Sequence, residues 1–160
     1  MSRARESSPE PIKQLPCNHD AERAVLGAVI LDNSILPTLG LVPEDFSLDS
    51  HRRIFKAMLE IEGGIDLVTL VEHMKRIGAL SDLGKSPASY LAFLTEGLPG
   101  RGYNKRWVGC IRYYATMRRI IKACAQAQGE AWEAIDQPEE IVERLGIALK
   151  GLRRKNVKAT

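Results

Sequence analysis

A chain of 160 residues is long enough for one compact domain, or for one domain with an appended hairpin. Apolar residues make up 44% of it, which puts a real core within reach, and a net charge of +3 implies no nucleic-acid partner by itself. No apolar run approaches the roughly 18 residues of a membrane span, and the opening MSRARESSPEP lacks the apolar segment of a secretion signal. Three widely spaced cysteines, Cys17, Cys110 and Cys124, suit reduced thiols rather than a disulfide framework, so the expected location is the cytoplasm.

Residues 1–14 hold little that can be buried and read as a disordered tail. From Leu15 the pattern is helical. Asn18 or Asp20 can cap a helix over 20–31, in which Ala21, Val25, Ala28 and Val29 recur on one face. A short helix is predicted over 33–40, stopped by Gly40 and Pro43. Asp49 or Ser50 opens the next, lined by Ile54, Met58 and Ile61 and ended by Gly63-Gly64. Asp66 caps another, with Leu67, Leu70, Val71, Met74 and Ile77 facing inward. Ser86-Pro87 starts a helix to about Glu96, the proline falling where a missing N–H costs nothing. These elements form a globular subdomain over 15–96, and the breaker-rich 97–103 reads as a joint.

Beyond the joint, 104–153 reads as a helical hairpin. Trp107, Cys110, Tyr114, Met117, Ile121, Cys124, Gln128, Ala131 and Ile135 recur at steps of three and four, which predicts a narrow apolar seam. Asp136-Gln137-Pro138 breaks the helix, and Ile141, Leu145, Ala148 and Leu152 repeat the spacing in a second helix that must run antiparallel to the first. Residues 154–160 form a frayed basic end. No stretch reads as a strand, so the fold class is all-α: a small helical globule followed by a long antiparallel helical hairpin.

The sequence carries no catalytic constellation. Gly97 and Gly102 have the separation of a phosphate-binding loop, but Tyr103 and Asn104 stand where lysine and a hydroxyl are required. Cys17 and His19 are the one close pair of metal-ligating types, without a second pair, and no Ser or Cys sits in a sharp strand-to-helix turn. No catalytic, cofactor-binding or metal-binding residue is expected. His51 and Arg52 read as structural partners of a carbonyl or a neighbouring acid. Seven basic residues and no acid lie between Gly97 and Gly129, among them Lys105, Arg112 and Arg119 spaced seven apart. That stripe is a candidate for weak nucleic-acid contact, weighed against the plainer reading of a solvated helix face.

Five short pieces carry a resemblance. Leu15-Pro16-Cys17-Asn18-His19-Asp20-Ala21-Glu22, running into Ala24-Val25-Leu26-Gly27-Ala28, is followed in order by Pro43-Glu44-Asp45-Phe46, by His51-Arg52-Arg53-Ile54-Phe55, by Ile65-Asp66-Leu67-Val68-Thr69-Leu70, and by Tyr90-Leu91 with Leu94. In this order and spacing they resemble the N-terminal domain of DnaB-type replicative DNA helicases, over about residues 15–135 and more loosely to 152. Gly84 is followed here by Lys85-Ser86-Pro87 where the family usually has a paired glycine, and the last helix keeps the family's length and acidity but not its wording.

The resemblance implies a non-catalytic assembly module. The family's hairpins pair between subunits into a collar on a hexameric ring, which docks primase and sometimes a loader protein, while the ATP-driven motor and the main grip on DNA lie in another domain. Candidate self-association residues are Trp107, Tyr114, Met117, Ile121, Trp132 and Leu145. The alternative is a freestanding nucleic-acid-binding or regulatory protein that reuses the fold.

Overall fold

The first helix begins where Asn18 turns its side chain back to accept a hydrogen bond from the Ala21 amide at 2.9 Å, satisfying one of the four free donors of a helix start. This computed structural model describes residues 13–98 and 105–153, so the basic end and most of the expected tail and of the joint lie outside the described residues. Helix α1 (His19–Leu31) is the central element, burying Ala21, Ala24, Val25, Leu26, Ala28 and Val29. Its Gly27 sits against the end of the fourth helix so closely that a Cβ there would lie 2.1 Å from the Leu94 carbonyl oxygen.

The predicted helix at 33–40 is instead a 3-10 helix over Asn33–Thr38, with Pro37 inside it and Gly40 in the left-handed region at φ +56°. Proline removes the amide that an α-helix would need there. A second 3-10 turn, Pro43–Asp45, is held by the Asp45 carboxylate accepting from the Val42 amide at 2.9 Å. Helix α2 (Asp49–Glu60) buries Ile54, Phe55, Ala57 and Met58; Leu48 stands at its cap and makes no side-chain capping bond. Helix α3 (Leu67–Arg76) opens with a reciprocal cap. Asp66 accepts from the Thr69 amide at 2.8 Å, and the Thr69 hydroxyl accepts from the Asp66 amide at 2.9 Å. Leu70 and Met74 face the core as expected, whereas Ile77 is exposed. Helix α4 (Pro87–Phe93) is shorter than predicted and gives way to turns after Leu94.

Helices α5 (Lys105–Glu133) and α6 (Pro138–Arg153) form the antiparallel hairpin, and no strand occurs among the described residues. The hairpin is not separate from the globule along its whole length. Val108, Ile111 and Ala115 on α5 are buried, and the first two belong to the same core cluster as Val25, Phe46, Ile54 and Leu70. From Arg119 to the end of α6, no described residue is buried. One continuous helix of about 43 Å thus begins as a core element and ends as half of a two-helix projection.

Candidate functional site

Among the described residues, five polar or charged ones are buried: Glu22, Asp45, His51, His73 and Arg118. Each has a partner. Glu22 on α1 meets His51 Nδ1 on α2 at 2.8 Å and accepts from the Ser47 amide at 2.7 Å. Burial works to raise the Glu22 pKa, but the hydrogen bonds from His51 and Ser47 outweigh it and hold the carboxyl below its ordinary value. Arg52 donates to the Ser47 carbonyl at 3.0 Å, so His51 and Arg52 both have the structural partners expected of them. His73 lies between Glu60, 3.0 Å from Nε2, and Arg76, 2.9 Å from Nδ1. No cluster of three metal-ligating side chains exists among the described residues.

The arginines of α5 anchor it. Arg112 donates to the carbonyls of Leu39 and Gly40. Arg118 donates to Pro16 at 2.9 Å and to the Asp45 carbonyl at 2.6 Å, and Arg119 pairs with the Asp45 carboxylate. Of the three candidates for nucleic-acid contact, Arg112 and Arg119 therefore have partners inside the molecule, and Lys105 is exposed at the helix start. Periodicity alone does not show this, because the acceptors, the Leu39 and Gly40 carbonyls and the Asp45 carboxylate, lie some 70 residues away. Asp45 is the residue that the sequence reading missed. Its neighbours Pro43 and Glu44 mark a turn, but nothing in the local sequence signals that its carboxylate is buried against a distant arginine.

Below the anchor, α5 presents three faces. Val108, Ile111, Ala115 and Arg118 turn to the globule. Ala123, Gln126, Ala127 and Glu130 turn to α6, where they meet Ile141, Arg144, Leu145 and Ala148. The apolar seam predicted for α5 is neither of these. At roughly 100° per residue, Ile121 and Trp132 stand about opposite Ala123, on the side away from α6. Ile121 is 44% exposed and Trp132 83%, while Trp107, Cys110, Tyr114 and Met117 are half-buried along the same stripe; Ile135, predicted to extend it, lies past the end of α5, beyond Ala134 at φ +51°. The predicted seam of α6 does face α5. Leu145, placed among the self-association candidates, is turned into the hairpin's own interface. Alanines suffice against α6, so Ile121 and Trp132 on the outer face of α5 stay exposed in the single chain.

A shallow groove of about 770 Å³ lies where this stripe meets α1, lined by Asn18, Asp20, Arg23, Trp107, Cys110 and Tyr114 among others. Asn18 donates to the Cys110 sulfur at 3.4 Å across its floor. No helix among the described residues is long and apolar enough to cross a membrane.

These features define an all-helical domain whose buried polar groups hold its elements together. Residues 14–112 match the model of the DnaB-like helicase N-terminal domain, and the chain belongs to that family. It is 34% identical over 134 residues to the replicative DNA helicase DnaB of Treponema pallidum, covering 78% of this chain and 30% of that protein. It is 29% identical over 150 residues to the replicative DNA helicase DnaC of Bacillus subtilis, covering 90% of this chain and 33% of that one. The crystal structure of the N-terminal domain of DnaB helicase from Mycobacterium tuberculosis superposes with a TM-score of 0.78 at 24% identity, covering 86% of this chain and 99% of that one. The all-α fold is thereby shared. The chain spans about a third or less of the curated relatives it matches, and the matched part is the N-terminal domain, without the ATPase motor.

Proposed function

We propose that this chain is a non-catalytic assembly and docking module of the replicative-helicase type, acting in the cytoplasm. In this reading it pairs with itself through the hairpin, the pairs build a hexameric ring, and the ring offers primase and a loader protein a place to dock. DNA unwinding would belong to an ATPase domain outside these residues. The observation that carries the reading is the unpartnered stripe of α5, where Ile121 and Trp132 stand in water on a helix whose opposite face is already satisfied by α6. Large exposed apolar side chains in register mark an interaction surface, and tryptophan is the residue most enriched among interface anchors. The freestanding nucleic-acid reading has less support, since Arg112 and Arg119 are occupied within the chain.

Sedimentation equilibrium between 1 and several hundred micromolar tests the proposal. The chain is expected to self-associate within that range, and a species that stays monomeric throughout refutes it.

A further inference from the structure

The outer stripe of α5 lies in the path of the chain that leads into α1. Asn18 donates to the Cys110 sulfur at 3.4 Å, and two residues earlier the Pro16 carbonyl accepts from Arg118 at 2.9 Å. Arg118 stands about two turns, roughly 12 Å, farther from the helix start than Cys110. Traced backward from α1, the chain therefore descends along α5 toward its far end. Lys13, Gln14 and Leu15 continue it and are exposed. At about 100° per residue, Ile121 and Trp132 follow Cys110 at successive offsets of about 20°, so the three stand on one line down the helix.

The residues before Lys13 fit this line in pattern, length and charge. An extended chain of the polyproline type advances about 3.1 Å per residue and returns to the same side every third residue. Pro9, Ile12 and Leu15 have that spacing and share one face, and Pro11 and Pro16 favour the conformation. Measured from Pro16 beside Arg118, Leu15 falls near the level of Ile121 and Ile12 near that of Ala125. Pro9 falls about 22 Å along, where Trp132 lies about 21 Å from Arg118. Ala125 is exposed and small, which leaves room for a branched side chain between two bulky neighbours, and proline packs well on aromatic faces. Arg3 and Arg5 then extend to the far end of the hairpin, where Glu133, Glu139, Glu140 and Glu143 are exposed.

We propose that residues 1–12 form a strap that seats on the outer face of α5 and competes with a second copy for Ile121 and Trp132. The competition rests on the self-association proposed above, whereas the seat itself does not. A few apolar contacts and two arginines against exposed acids make a weak seat. The strap therefore raises the concentration at which copies associate, by the fraction of molecules in which it is open, and does not abolish association.

Two measurements on the full chain test this, with Pro9→Ser/Ile12→Ser and Arg3→Glu/Arg5→Glu as the loosening variants. The difference in emission between each chain and its Trp132→Phe counterpart reports Trp132 alone. At a concentration where sedimentation finds only monomer, acrylamide quenching of Trp132 should be stronger in both variants than in the wild type. Half-association in sedimentation should then move to a concentration about three-fold lower or less. Equal quenching in the wild type and both variants overturns the strap. Stronger quenching with an unmoved midpoint overturns the competition, and a midpoint that moves upward assigns residues 1–12 to the contact between copies and overturns it too. A wild type that never associates removes the reading beneath the competition, while the quenching contrast still decides the seat.

Discussion

At the scale of single residues, stability rests on a few buried charges whose partners are far apart in sequence. Glu22 is the clearest, since Asn18 starts the helix that carries it and His51 and Ser47 reach it from another element. Removing the carboxylate leaves His51 and the Ser47 amide without their acceptor in a dry site, so Glu22→Ala should cost about 3 kcal/mol, read from urea denaturation. The pH dependence follows from the sign of the shift. The folded-state pKa of Glu22 lies below its unfolded value, so its contribution is fully present above the ordinary carboxylate range and fades as pH falls through the lower folded value. The wild type should lose stability across that acid window more steeply than Glu22→Ala, and equal slopes would show that the pair is not coupled to folding. Gly27 poses a steric case. A methyl there would meet the Leu94 carbonyl oxygen at 2.1 Å and the Leu98 side chain at 2.5 Å, both too close for any real contact. Gly27→Ala should force α1 from α4 and cost about 2 kcal/mol or more in the same assay, despite the better helix propensity of alanine.

At the scale of elements, the sequence was legible where a local rule decides the outcome. Asn18, Asp66 with Thr69, and Pro87 mark helix starts by the chemistry of their own side chains, and these starts are observed. The two long helices and their antiparallel turn followed from periodicity and from Asp136-Gln137-Pro138. Which face of α5 packs on what was not legible. Periodicity favours the stripe with the largest apolar residues, whereas contact with α6 needs small ones, and Ala123 and Ala127 do not stand out by size. The roles of Arg112, Arg118 and Arg119 were equally hidden, because a cation on a helix looks alike whether it meets water or a distant carbonyl. The corrected faces predict a contrast between two charges two turns apart. Ile121→Asp sits on the outer face, so it should leave the helical signal of the monomer nearly unchanged and abolish association. Ala127→Asp puts a carboxylate between α5 and α6, beside Glu130, and should open the hairpin. Circular dichroism with sedimentation separates the two, and loss of helix in Ile121→Asp would return that residue to the hairpin's interior.

For the whole molecule, the decisive feature is the gradient of burial along one rigid helix. The first half of α5 shares a core with α1 and α2, and Arg112, Arg118 and Arg119 tie it to loop carbonyls and to Asp45. The second half and α6 contain no buried residue among those described, and their ion pairs, Arg144 with Glu130 and Asp136, are exposed and contribute little. A pair of helices so thinly covered is marginal alone, because most helical stability comes from packing of an apolar face. The globule and upper α5 should therefore open together at the global free energy, while α6 and the tip open locally at far lower cost. Amide hydrogen exchange resolves the two populations. At 1 micromolar, amides of residues 138–153 should exchange orders of magnitude faster than those of α1 and α2. At several hundred micromolar their protection should rise by the factor that mass action sets, because a second copy binds the closed hairpin and not the opened one. The amides of α1 should change much less over the same range. Protection of residues 138–153 that is already high and independent of concentration would mean that the hairpin is stable without a partner, and the exposed face of α5 would then need another explanation.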